Sequence, residues 1–321
     1  MLGEAAPAGN IVGRLAIFVI ALLAISGNPA VGQTAPDSNP PESRTYVGPA
    51  VCDDCHQTAI DNFAHSIHGE LFLKRPRNDS EALGYEACHG PASLHVEDPA
   101  RADGIIRFTH GSATPVAKMN AQCLGCHGGG EHINWQSSVH ESEDLACSDC
   151  HNPMATLSAR GLLARETVND TCFSCHREQR SEFRRRSHMP LLEGKISCTD
   201  CHNPHGGLSE PMLRTTSVNE TCFTCHAEKR GPFLFEHAPV TESCLNCHAP
   251  HGSNHEKLLI TARPVLCQQC HTMIGHMNDP LVRAQLASGA FPDARLIGRS
   301  CQNCHVAIHG SNHPSGAKFH R

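Results

Sequence analysis

A Cys-x-x-Cys-His pentapeptide occurs nine times in this chain of 321 residues, at 52–56, 123–127, 147–151, 172–176, 198–202, 222–226, 244–248, 267–271 and 301–305. That pentapeptide is the attachment site of a c-type haem. Its two thiols add across the haem vinyl groups, and the histidine that follows is then placed to ligate the iron. The paired thiols are Cys52 and Cys55, Cys123 and Cys126, Cys147 and Cys150, Cys172 and Cys175, Cys198 and Cys201, Cys222 and Cys225, Cys244 and Cys247, Cys267 and Cys270, and Cys301 and Cys304. The proximal histidines are His56, His127, His151, His176, His202, His226, His248, His271 and His305. Zinc also uses Cys-x-x-Cys pairs, but it does not require a histidine directly after the second cysteine. Disulfides fail on the same ground, because only 25 residues are histidine and nine of them fall at that one place.

The composition agrees with a body organised by cofactors. Aromatic residues make up 4% of the chain, with one Trp and two Tyr, against 21 Pro and 26 Gly. Such a chain cannot build an ordinary apolar interior, whereas packed macrocycles supply one. The expected fold class is an elongated multihaem cytochrome c, mostly loops and short α-helices wrapped around a chain of haems, with little β. The formal charge of −6 is modest and no basic tract points to nucleic acid. Arg184, Arg185 and Arg186 read as a solvated face or as propionate partners.

Residues 1–32 read as a secretory signal peptide: Arg14 precedes an apolar run over 15–25, and Ala30, Val31 and Gly32 are small residues suited to cleavage. Eleven apolar residues fall short of the roughly 20 that a membrane-spanning helix needs. Export, with no transmembrane helix in the mature chain, is therefore expected. Residues 33–45 form a proline-rich, flexible leader.

The motifs repeat in two interleaved series. One starts at 123, 172, 222 and 267, the other at 147, 198, 244 and 301. The reading is an array of two-haem modules, each with an odd site, a linker histidine and an even site. Module 1 spans 46–115, module 2 116–165, module 3 166–215, module 4 216–260, and module 5 with the C-terminal tail 261–321. The even site of module 1 falls where the chain reads Tyr85-Glu86-Ala87-Cys88-His89, with Tyr85 in place of the first cysteine. Nineteen cysteines are nine pairs and Cys88. The favoured reading is a tenth haem, held by a single thioether from Cys88 and ligated by His89; the alternative is a decayed site with a free thiol.

Fifteen further histidines are enough to give every iron a second imidazole. The linker set is His68, His140, His188, His237 and His276. A second set follows the even motifs: His95, His205, His251 and His309. In module 2 that place is taken by Met154, so His132 is expected to supply the missing imidazole for the haem at His151, with His110 and Met154 as alternatives. Methionine ligation would raise the potential of that haem. His65, His255, His313 and His320 receive no role. Bis-histidine ligation closes both axial positions and leaves each haem to pass electrons. No Cys-x-x-Cys-Lys, nucleophile motif or phosphate loop is present, so an electron-transfer protein is expected and an enzyme is not.

These features together resemble the periplasmic decahaem cytochromes of the MtrA/DmsE family, which includes the PioA and MtoA proteins of iron oxidisers. The resemblance covers about 45–310. It rests on Tyr46-Val47-Gly48 before Cys52, on Cys88-His89-Gly90-Pro91, on Thr114-Pro115-Val116 before Cys123, and on the five modules. It implies an electron wire seated in an outer-membrane β-barrel of the MtrB/PioB kind, with or without an extracellular multihaem cytochrome. A periplasmic or inner-membrane cytochrome would serve as donor or acceptor. Electrons would flow to extracellular metal oxides or inward from Fe(II). Two further readings stay open: a soluble periplasmic carrier to a terminal reductase, and a multihaem oxyanion reductase.

Overall fold

A computed structural model describes residues 43–271 and 301–320. The signal sequence, the leader before residue 43 and His276 lie outside the described residues. Within them the chain is a succession of short helices joined by turns. The longest, Val116–His127, has 12 residues, and none is long and apolar enough to cross a membrane. Among the described residues extended segments meet only as isolated bridges, such as His151 with Leu163 and Ser187 with Ser253. The expectation of loops and short helices with little β is met.

Each helix is short because its ends are written into the repeat. Thr167 and Ser217 cap the helices Val168–Phe173 and Val218–Phe223 by accepting hydrogen bonds from the backbone N–H groups of Asp170 and Glu220. The second turn of each already carries the first haem-site cysteine, Cys172 or Cys222. The motif is thus delivered at a helix end, where the chain is free to turn away around a bulky group.

Within modules 2 to 4 the odd and even sites are tied by one side chain. Asn120, Asn169 and Asn219 each lie three residues before the first odd cysteine. Their Oδ1 atoms accept the backbone N–H of Cys147 at 2.8 Å, Cys198 at 3.1 Å and Cys244 at 2.8 Å. Module 1 has Pro49 at that place and uses another device. The buried carboxylate of Glu86 accepts N–H bonds from Val47 (3.1 Å), Gly48 (2.8 Å) and Ala92 (2.9 Å).

Apolar packing is sparse and local. Phe173, Phe183 and Leu191 form a small core in module 3, flanked by Met189, Ile196 and Cys198. Phe63 packs on Tyr85 in module 1, with ring centroids 5.1 Å apart. The residues beside the linker histidines dock on the next module. Ser187 and Ser253 exchange backbone hydrogen bonds of 2.9 and 2.7 Å, and Phe235 and Ser311 exchange bonds of 3.0 and 2.9 Å.

Candidate haem-binding array

The cysteines form a continuous series. Within modules 2 to 5 the first thiol of the odd site meets the first thiol of the even site: Cys123 with Cys147, Cys172 with Cys198, Cys222 with Cys244 and Cys267 with Cys301. Across each module boundary the second even thiol feels the second odd thiol of the next module. Burial first, then Cys126, pushes the Cys88 thiol up. Cys150 is pushed to about 11 by burial and then by Cys172, with Cys175 also contributing. Burial and then Asp200 raise Cys201, with Cys225 adding to them, and burial and then Cys270 raise Cys247. Attachment points therefore alternate, between modules and then within them, from Cys88 of module 1 to Cys301 of module 5; inside module 1 the neighbour of Cys52 is Tyr85 and not a thiol.

The even-site histidines share one orientation. A return loop brings a backbone carbonyl onto Nδ1 of each: Ile106 to His89 at 2.8 Å, Gly161 to His151 at 2.6 Å, Pro211 to His202 at 2.9 Å, Lys257 to His248 at 2.8 Å and Lys318 to His305 at 2.5 Å. With Nδ1–H donating to a carbonyl, the neutral ring keeps its lone pair on Nε2, the tautomer a metal ligand needs.

Opposite most motif histidines stands a second imidazole at a recurring distance. Centroid separations are 6.1 Å for His56 and His95, 6.0 Å for His68 and His127, and 6.2 Å for His140 and His176. They are 5.9 Å for His151 and His205, 6.3 Å for His202 and His251, 6.0 Å for His237 and His271, and 6.2 Å for His248 and His309. Two imidazoles sharing a metal at about 2 Å per bond have centroids roughly 6 Å apart, so these rings fit an iron between them. Nδ1 of His68, His95 and His205 is buried without a hydrogen-bond partner, which protein structure alone rarely tolerates. Burial, then the neighbouring His132 and His151, pulls His205 down to about 4. Burial, then Lys229 and His248, does the same to His309. Both rings are neutral near pH 7 and able to bind metal.

The comparisons agree with this geometry. A family model described as a doubled CXXCH motif matches residues 139–181, 188–231 and 237–275. Each match opens at or next to a linker histidine and carries an even site and the following odd site. The chain is also 39% identical over 273 residues to the multiheme cytochrome MtrA of Shewanella baltica (strain OS185), covering 84% of this chain and 80% of that protein. The chain belongs to the MtrA family of multihaem cytochromes. Haem c binding and electron transfer follow from that membership and from the paired motifs.

In this MtrA-family chain six of the seven opposed pairs join different modules, a relationship that motif spacing does not display; His56 and His95 both belong to module 1. Linker histidines His68, His140 and His237 face the odd sites of the next module, and His205, His251 and His309 face the even sites of the preceding one. One expectation is corrected. His132 is not placed against His151; that position is held by His205, and the His132 ring lies 4.2 Å from His205 and 6.2 Å from His127. The physical reason is that module 3 docks its post-motif loop onto module 2, so the imidazole arrives from ahead in the sequence. His110 is exposed and 3.8 Å from Asp149, and the ring that faces His151 is His205.

Two further positions stand out. His188 donates or accepts at both nitrogens, with the Arg185 carbonyl at 2.8 Å and Glu193 at 3.0 Å, so its Nε2 is engaged by a carboxylate. His320, given no role from sequence, lies 4.6 Å from His305 with the ring planes tilted by 50°; a metal between them would require the rings to part by more than an ångström. The signal that points to it is its place in the C-terminal tail, which folds back so that Ala307 N–H reaches the Phe319 carbonyl at 3.0 Å. Tyr85 is buried at the start of the incomplete motif. Burial raises its phenol, with Asp53 and Cys52 adding to the effect. It thus occupies, beside Cys52, the place that Cys147 takes beside Cys123.

Proposed function

We propose that this protein is a periplasmic decahaem cytochrome that carries electrons across the outer membrane inside a β-barrel partner. The observation that carries the reading is the alternation of attachment sites that runs from Cys88 in module 1 to Cys301 in module 5. Bound haem c would supply one-electron redox chemistry. The chain's own contribution is to fix the macrocycles by thioethers, to close both axial faces with its own side chains, and to keep successive attachment points adjacent.

The irons would be held proximally by His56, His89, His127, His151, His176, His202, His226, His248, His271 and His305. The seven opposed rings described above would complete seven of these sites. We assign His188 to His226, which requires release from Glu193, and His320 to His305. Nine haems would hang from two thioethers each, and one from Cys88 alone. With both axial faces filled there is no substrate position on iron, which favours transport over catalysis.

The membrane reading rests on solvation. Irregular backbone exposed to lipid leaves unpaired polar groups, so a chain of loops and short helices needs a sheath, and a large barrel with a polar lumen provides one. To test this, the native outer membrane is washed with high salt and solubilised in mild detergent, and haem-stained bands are checked for a co-migrating barrel protein. The complex is then placed in liposomes loaded with a reducible dye, with reductant outside. Co-migration with dye reduction supports the conduit. Release by the wash, with no transfer across the bilayer, would replace it with a soluble periplasmic carrier.

A further inference from the structure

The even sites obey a rule of register. His151 faces His205, His202 faces His251, and His248 faces His309. In each case the opposing residue is the one that follows the next even motif. Applied one step earlier, the rule assigns to His89 the residue that follows the motif at 147–151, and that residue is Met154.

The loop that would present Met154 is built as its counterpart in module 3 is built. Asn152 Oδ1 accepts the Met154 N–H at 3.1 Å, as Asn203 Oδ1 accepts the His205 N–H at 3.2 Å. Asn152 N–H reaches the Leu162 carbonyl at 2.6 Å, and Asn203 N–H reaches the Met212 carbonyl at 2.8 Å. His151 bridges to Leu163 as His202 bridges to Leu213. The junctions are also in register, since His68 meets His127 at 6.0 Å as His140 meets His176 at 6.2 Å. One local difference is Ala155 in place of Gly206, where a Cβ would overlap the Asn134 carbonyl; the module 2 loop therefore cannot seat on its neighbour as closely as the module 3 loop does, and an unbranched, flexible methionine has the rotamers to adapt where a rigid imidazole would be carried away.

The nearby histidines are otherwise occupied. His95 faces His56, His132 lies against His205, His110 is exposed beside Asp149, and exposed His65 bonds the Asp61 carbonyl through Nδ1 at 2.7 Å. His89 itself is oriented for ligation by Ile106, as the other even-site histidines are by their own return loops.

We propose that the Met154 sulfur is the sixth ligand of the iron bound at His89, so that this one site is His–Met while the others are bis-histidine. The inference rests on the reading that Cys88 and His89 hold a haem. A methionine ligand raises the potential, which makes this site the place where the first electron entering the oxidised array comes to rest.

The test uses the purified holoprotein. Near-infrared magnetic circular dichroism of the oxidised form should show a sulfur-to-iron charge-transfer band from about one haem in ten, and bis-imidazole bands from the rest. Met154→His should abolish the sulfur band and lower the highest-potential step of a redox titration. Met154→Leu should abolish the band and leave a high-spin haem. A wild-type spectrum with bis-imidazole bands alone, or a sulfur band that survives both substitutions, overturns the assignment. Intact mass separates the two levels of the argument: nine haems with unmodified Cys88 would remove the haem at His89 altogether, whereas ten haems without a sulfur band would remove only Met154.

Discussion

His151 and His205 face each other with ring centroids 5.9 Å apart and planes 18° from parallel, although they belong to consecutive modules. The relationship makes module 3 a contributor to the site of module 2. His205→Ala is expected to leave the iron at His151 five-coordinate, so that about one haem per chain becomes high-spin in electron paramagnetic resonance. The thioethers, and with them the haem count, stay unchanged. His132→Ala should leave the spectrum low-spin. A low-spin His205→Ala protein would show that another residue ligates this iron.

Docking between modules sets the same distances, and one glycine controls one junction. A Cβ at Gly252 would overlap the Glu182 carbonyl, and Glu182 also accepts from His251 Nδ1 at 3.2 Å. The Arg185 guanidinium adds a bond to the Gly252 carbonyl at 3.1 Å. Gly252→Ala is expected to push the loop off module 3 and to carry His251 away from His202. The measurable result is a high-spin fraction at one haem, with faster amide exchange at Ser187 and Ser253. A variant with unchanged spin state and protection would show that the junction yields without moving the ligand.

The side chains that tie odd to even sites predict a graded local loss. Asn219→Ala removes the acceptor for the Cys244 N–H and two donors, to the carbonyls of Val240 (3.0 Å) and Thr241 (3.2 Å). An orphaned buried donor costs about 1–3 kcal/mol, and roughly 1.4 kcal/mol is tenfold in an opening equilibrium. Exchange of the Cys244 amide should therefore quicken about tenfold. Glu86→Ala strands three backbone donors at once, so the amides of Gly48 and Ala92 should quicken more. Equal protection in both variants would mean that haem packing alone holds the modules.

How much of this is legible in the sequence depends on whether a feature is local. The cysteines and proximal histidines are, because attachment chemistry demands them at fixed spacing. The repeat is legible too, and it exposes Tyr85 as a departure. The pairing of His68 with His127, or of His205 with His151, is not, because a linker histidine in the sequence between two sites of its own module looks as though it serves them. The chain must fold back between modules before the neighbour across the junction is defined. His320 is not legible for a related reason: no motif surrounds it, and only the return of the tail onto Ala307 brings it to His305. The orienting carbonyls, such as Gly161 for His151, carry no side-chain signature at all.

Tyr85 supplies the last prediction. A thioether forms when a cysteine S–H adds across a vinyl group: sulfur bonds to one carbon, hydrogen to the other, and nothing is released. A phenol does not make that addition, so a haem at Cys88 keeps one vinyl group intact and conjugated with its ring. Tyr85 is buried against Phe63 and would cover that vinyl with an apolar face. The wild-type haem peptide containing residues 84–90 should therefore carry one thioether. Its pyridine haemochrome α-band should lie at longer wavelength than those of the other haem peptides. Tyr85→Cys should move this band to coincide with the rest at unchanged haem count. It should also lose part of the packing on Phe63, since a thioether sulfur cannot replace a ring. A wild-type peptide with a free thiol at Cys88 would mean that the site is empty, and a tenth haem appearing only in Tyr85→Cys would assign the vacancy to Tyr85 alone.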